Sequence, residues 1–257
     1  MTNNTVEQDY TIAESFTLPS RGEIYSSSVN PEIKLRSMTT AEEMKRQAKT
    51  DSPYKQMSEV IEDCIVGSKP GISVYDMCLG DYEFLLHKLR VVTYGPEYKM
   101  FITCPSCGNT QEKIADLDTL AVTEVDIEDF KNSLKVTLPR TKKEIELKFT
   151  TPRMLDEIAK RRKDYARKNP DALDQGLVYT LSYAIKSVDD KISTPAVYET
   201  FVKKLPMADV NFLLQKIDAI NNKIGLDSDI ICTCKECGFE TVTPFRLTSE
   251  FFGPTID

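Results

Sequence analysis

Two short motifs constrain this chain more than anything else in it: Cys104-Pro-Ser-Cys107-Gly and Cys234-Lys-Glu-Cys237-Gly. Two thiolates separated by two residues in a tight turn can grip one metal ion. A glycine directly after the second cysteine relieves crowding where the backbone curls to aim amides at sulfur. Each motif sits between alternating segments, the layout of a zinc ribbon, whose ligands come from two hairpin turns. Four sulfurs in a tetrahedral array satisfy Zn2+ and leave no position for water or substrate, so such a site is structural. The matched glycine offset makes the pair specific. Its unusual feature is separation, because roughly 125 residues lie between the halves, against about 15–20 in a compact ribbon. If Cys104, Cys107, Cys234 and Cys237 share one Zn2+ per chain, everything between them is an insertion whose ends must meet. Chelation is then expected to loosen the C-terminal third most.

Other uses of these cysteines are weaker. Redox CxxC motifs open a helix after a strand, and neither motif here has a helical start after it. Two independent zinc sites would each need two more ligands, yet His87 is the sole histidine and reads as a helix-face residue. Cys232, two residues before Cys234, could replace one of the four, although spacing and the glycine offset favour Cys234 and Cys237. Cys64 and Cys78 lie on apolar helical stripes and read as packing residues.

Seven cysteines are better metal ligands than disulfide partners if the chain stays in a reducing compartment, and the expectation is that it does. The opening MTNNTVEQDYTIAES is polar and acidic, unlike a signal peptide. Apolar runs such as Ile230 to Cys232 fall far short of a membrane span. A formal charge of −7 argues against wholesale binding to nucleic acid or a membrane surface.

The expected fold class is α+β: helical bundle elements with β-hairpins, the two CxxC knuckles joined in a split zinc ribbon. Five regions are expected: a flexible acidic arm (1–14), a mainly helical region (15–95), a knuckle and hairpin region (96–149), a helical insertion (150–226), and the second knuckle with an aromatic tail (227–257). Within them, Phe16, Leu18, Ile24 and Tyr25 predict an ordered loop on the core, and Glu32 to Met38 a strand. Thr39 or Thr40 predicts a helix cap with Glu42 and Glu43 in the first turn. Tyr54 to Val66 carries a helical stripe. Ser73 is expected to cap a short helix ended by Gly80, and Asp81 to cap Tyr82 to Val92, with Phe84, Leu85, Leu89 and Val92 inward. Leu134–Leu138 and Glu144–Phe149 alternate as a second hairpin. Thr151-Pro152 opens a helix to about Lys168, and Ala172–Ile185, Pro195–Lys203 and Met207–Ile224 read as further helices, the last ended by Gly225.

Catalysis has little to stand on. There is no G-x-S-x-G, no glycine-rich phosphate loop and no H-E-x-x-H, and one histidine removes most acid–base and nucleophilic schemes. The run Lys160-Arg161-Arg162-Lys163 is the one basic concentration. It reads plainly as a solvated helix face, more sharply as a docking surface for an acidic partner, and only third as a nucleic-acid contact, because no aromatic interleaving accompanies it. Phe251 and Phe252 either pack back on the second knuckle or anchor a neighbouring subunit.

Several motifs in order carry a family resemblance: Leu18-Pro-Ser-Arg-Gly22 with Ile24-Tyr25, Arg36-Ser-Met-Thr-Thr-Ala-Glu-Glu43, Gly80-Asp81 ahead of a helix leading to Tyr94-Gly-Pro-Glu-Tyr98, Cys104-Pro-x-Cys107-Gly, and Cys234-x2-Cys237-Gly with Glu250-Phe-Phe-Gly-Pro254. Together they resemble the T-even-type phage baseplate proteins linked to hub assembly. The resemblance implies a contractile-tail phage protein, made in the cytoplasm of an infected bacterium, with other baseplate and hub proteins as partners and no catalytic residues. The alternative from a different class is a zinc-ribbon regulator that binds nucleic acid; a thiol oxidoreductase ranks behind both.

Overall fold

The computed structural model describes residues 11–123, 125–227, 229–244, 251 and 252. Most of the acidic arm (1–10) and most of the tail after 244 therefore lie outside the described residues. The fold is α+β, with eight α-helices and several small antiparallel sheets among those residues.

The chain enters through β1 (Ala13–Thr17), which pairs antiparallel with β2 (Glu32–Arg36). In β2 the period-2 pattern places Ile33 and Leu35 inward and Glu32 and Lys34 outward, as a strand with one buried face requires. The loop between them is tight at Gly22, where φ is +74° and a Cβ would come within 2.6 Å of the Val29 carbonyl oxygen. Helix α1 (Thr40–Gln47) takes Thr39 as its cap, with Glu42 completing a capping box. Arg36 also holds Glu42, at 2.8 Å, and with the Thr39 bonds keeps its carboxyl down near 2.

Helix α2 (Pro53–Cys64) buries Val60, Ile61 and Cys64. A 3-10 turn (Val74–Asp76), capped by Ser73, leads into α3 (Leu79–Tyr94). Here the structure corrects the expected helix boundaries. Gly80 lies inside the first turn of α3 rather than ending a helix, and Cys78, not Asp81, is its cap. Gly80 is there because a Cβ would sit 2.0 Å from the Ile224 carbonyl oxygen; backbone meets backbone at this point. Asp81 is freed for a longer-range task. Its carboxylate accepts the Ser20 amide (3.0 Å), the Ser20 hydroxyl and the Tyr25 hydroxyl (2.6 Å), while Tyr25 Oη accepts the Cys78 amide (3.0 Å). Burial pushes the Asp81 carboxyl up, and these bonds oppose it. The Leu18-to-Tyr25 segment is thus clasped to the start of α3, which is what its spacing is for.

Helix α3 is buried on nearly every face, from Tyr82 and Phe84 to Val91 and Val92, as suits the central helix of a core. At its end Gly95 takes φ +85°. The buried Arg90 guanidinium donates to the carbonyls of Gly95 (2.7 Å) and Glu97 (3.3 Å) and lies over the rings of Tyr94 and Tyr98. Arg90 therefore organises the Tyr94-Gly-Pro-Glu-Tyr98 turn.

The strands β3 (Glu97–Thr103) and β4 (Thr110–Asp116) form the first knuckle hairpin. Then come β5 (Val122–Thr123), α4 (Ile127–Ser133), β6 (Lys135–Thr137), β7 (Glu144–Leu147) and α5 (Pro152–Lys168), the last capped by Thr151 with Pro152 in its first turn. Next, α6 (Gly176–Ala184) is shorter than the expected helix. It yields to β8 (Ile185–Val188) and β9 (Lys191–Ile192), which extend β6–β7 into a four-stranded sheet ordered β6-β7-β8-β9. The β8–β9 turn places Asp189 and Asp190 both at positive φ, the pattern of a type I′ hairpin. Helices α7 (Pro195–Val202) and α8 (Met207–Asn221) follow, and α8 stops four residues before Gly225. The chain closes with β10 (Gly225–Leu226), paired to β5, and the hairpin β11 (Asp229–Thr233) and β12 (Glu240–Pro244).

Two apolar clusters result. The first surrounds α2 and α3 and takes in Ala115, Leu117, Ile230, Phe251 and Phe252. The second packs the four-stranded sheet against α6, α7 and α8. Two more buried aspartates tie distant segments together. Asp156 on α5 accepts the amides of Tyr54 (3.3 Å) and Lys55 (2.8 Å) at the start of α2. Asp209 on α8 accepts the amides of Arg140 (2.8 Å) and Thr141 (3.0 Å) in the β6–β7 turn. Burial pushes the Asp209 carboxyl up, but these bonds outweigh it and hold it below its ordinary value.

Candidate metal centre

Each knuckle grows from the last pair of its hairpin, Thr103↔Thr110 in one and Thr233↔Glu240 in the other. Beyond that pair the two turns are built alike. The Cys104 amide donates to the Asn109 carbonyl (2.8 Å) and the Gly108 amide to the Cys104 carbonyl (2.9 Å); their counterparts are Cys234 to Phe239 (2.8 Å) and Gly238 to Cys234 (3.0 Å). Gly108 and Gly238 take φ of +74° and +72° with open space where a Cβ would stand. Backbone conformation alone therefore demands glycine there.

The fold brings the turns face to face. Cys104 Sγ lies 3.7 Å from Cys237 Sγ, and Cys107 Sγ lies 3.7 Å from Cys234 Sγ. All four sulfurs fall within 4.8 Å of one another and could hold a metal ion. A disulfide would need about 2.05 Å, so neither pair is bonded. Sulfurs at the corners of a tetrahedron of radius about 2.3 Å stand about 3.8 Å apart, and the donor set fits a four-thiolate metal. The first cysteine of each knuckle is buried and the second exposed, so one side of the site meets solvent.

The sulfurs also show why a cation suits them. Amides of Cys237 and Glu236 point at Cys234 and hold its thiol down near 6. The Asn109 amide favours the Cys107 thiolate too, yet hydrogen bonding to the sulfurs of Cys237, Cys234 and Cys104 pushes Cys107 up to about 12. Four thiols this close cannot all ionise together without positive charge among them.

Gln111 is a site residue that sequence reasoning missed. From β4 its Nε2 donates to Cys232 Sγ (3.0 Å) and the Thr233 carbonyl (2.9 Å), and its Oε1 accepts the Lys235 amide (2.8 Å). One side chain thus stitches the first hairpin to the backbone of the second knuckle. The only signal in the sequence is a polar residue at an inward strand position, opposite buried Ile102. Cys232 is buried on β11 as the partner of Gln111 and stands outside the four-sulfur cluster.

The other singled-out residues lie elsewhere. Phe251 and Phe252 are buried within this chain. Phe251 sits 5.8 Å from the ring of Tyr98 and 6.0 Å from that of His87, and Arg46 lies over Phe252. On α5, Arg161 pairs with Glu199, Arg162 with Asp174 and Lys163 with Asp51. Lys160 and Arg161 line an open groove of about 420 Å3 beside Tyr165, Tyr179 and Tyr183, so the fold supplies in space the aromatic neighbours that the run lacks in sequence. Cys64 and Cys78 are buried, and burial pushes both thiols up, Cys64 to about 12.

The model of the T4 bacteriophage base plate protein family matches residues 11–253. The chain belongs to this family. No curated protein and no solved structure matches it significantly. The match spans both knuckles, the clasp on Asp81 and the Arg90 turn, so the family's extent includes every feature that positions the sulfur cluster. Among the described residues no helix is long and apolar enough to cross a membrane.

Proposed function

We propose that this baseplate family member is a zinc-stapled assembly component of the baseplate hub, working through protein–protein contacts and without catalytic chemistry. The observation that carries the reading is the convergence of Cys104, Cys107, Cys234 and Cys237 at tetrahedral spacing in a chain of that family. Bound Zn2+ would supply a rigid four-way crosslink between the middle of the chain and its end. Such sites bind with on the order of 10 kcal/mol, comparable with the entire stability of a domain. In this reading residues 150–226 form an insertion between the half-sites. The protein is made and assembled in the cytoplasm of the infected bacterium, where a thiolate metal site gives rigidity that a disulfide could not.

The test is metal analysis of the full chain combined with purification of tail intermediates from infected cells. One zinc per chain, together with co-purification with other baseplate proteins, is the expected result. A metal-free chain that is fully folded, or its absence from every baseplate intermediate, would overturn the reading.

A further inference from the structure

Every small sheet in this molecule has edges, and an exposed edge is a template for another strand unless something guards it. Four of these edges are visibly guarded. The edge of β11 is stoppered by Gln111, whose amide occupies the Thr233 carbonyl and the Lys235 amide as a neighbouring strand's backbone would. Strand β3 carries Lys99, paired across to Glu112 at 3.8 Å. In the four-stranded sheet, β6 begins with Lys135 and β9 is two residues long with Lys191.

The far edge of β12 is guarded only at its ends, by the charge of Glu240 and by Pro244, which offers no amide. Among the described residues no strand but β11 pairs with it. Its middle, Thr241-Val242-Thr243, is β-branched throughout, without lysine or bulge. The hairpin's inner face is covered, with Ile230 and Cys232 buried. Its outer face is not: Ile231 and Val242 stand directly opposite each other, 59 % and 55 % exposed. Outward strand positions that meet only water are ordinarily polar. An apolar cross-strand pair beside an open edge is the arrangement used for strand addition, in which edge amides give affinity and alternate side chains give selectivity.

We propose that the free edge of β12 receives an extended strand from a neighbouring baseplate protein. That strand adds to the β11–β12 hairpin as a third member and lays aliphatic side chains over Ile231 and Val242. Exposed acids stand at both ends of this face, Glu240 at one and Asp229 at the other, so the incoming segment carries lysine or arginine at its flanks. The zinc-held knuckle keeps the edge in place. This deepens the assembly reading above and rests on it.

The test compares deuterium exchange at the amides of Glu240 and Val242, which the hairpin register turns away from β11, in the free zinc-loaded chain and in a purified baseplate intermediate. Exchange at least tenfold slower in the intermediate is expected. Separately, Val242→Asp and Ile231→Lys should each reduce incorporation at least tenfold with zinc content unchanged. Equal exchange in the two states would overturn strand addition, as would variants that incorporate like the wild type. Slow exchange already in the free chain would overturn it too, by showing that the chain covers its own edge. Failure of the wild-type chain to enter any intermediate would instead sink the assembly reading.

Discussion

The helix α3 core and the paired knuckles are held together by different physics. Around α3, burial dominates: Phe84, Leu85, Leu89, Ile33, Leu35, Val60 and Ile61 are almost wholly removed from water. Few buried residues join the knuckle hairpins to the body, among them Ala115 and Ile230, and what joins them to each other is Gln111 and, in the proposed reading, a metal held among four sulfurs. A core of the first kind loses stability in increments as side chains are trimmed. A joint of the second kind has one large term that is present or absent. The comparison teaches that the two regions should fail separately.

The largest effect that could break this contrast is metal removal. Stripping zinc with a strong chelator should cost the knuckle joint on the order of 10 kcal/mol. Hydrogen exchange should show residues 97–116 and 229–244 losing protection while α3 keeps its own. Uniform loss across both regions would mean the contrast is wrong. Next comes Gly80→Ala, aimed at the core. With a Cβ placed 2.0 Å from the Ile224 carbonyl oxygen, α3 and β10 must separate, at a cost of about 3 kcal/mol or more, read by denaturant unfolding with zinc content intact.

The third effect is set by pH. Burial, aided by the charge of Lys88, holds the His87 imidazole down near 4 in the folded chain, against an ordinary value of 6.5. Between those values the unfolded chain binds a proton that the folded chain does not, so stability falls as pH drops from 6.5 toward 4. The full span is at most about 3 kcal/mol. His87→Leu should flatten that slope, and the difference between the two profiles removes the contribution of the thiolates. The smallest effect is Gln111→Ala. It leaves the Lys235 amide and Thr233 carbonyl to water, costs about 1–2 kcal/mol, and should weaken zinc retention about 10–100-fold in a competition assay without moving α3.

The same division explains what could be read from the residues. The knuckles were legible because coordination needs particular atoms at particular spacing, and glycine at one offset twice is hard to arrive at otherwise. Helix α5 was legible because Thr151 and Pro152 mark its start locally. Strands β8 and β9 were not, because Leu181, Tyr183, Ala184 and Ile185 carry the largely apolar character of the helix on into β8 and the Asp189-Asp190 turn lacks the glycine that usually signals a tight hairpin. Asp81 looked like a cap for its own helix, since nothing local reveals that Ser20 and Tyr25 take its carboxylate. Gln111 was silent for the same reason. Its partners stand more than a hundred residues away, and a glutamine in a strand announces nothing.

Zinc K-edge X-ray absorption on the full chain, at known metal stoichiometry, tests most directly whether the distant cysteine pairs close on one ion. One zinc per chain with four sulfurs at about 2.3 Å is the predicted spectrum, and Cys237→Ser should reduce it to three. Two zincs per chain, or a shell containing nitrogen or oxygen in the wild type, would contradict a shared site.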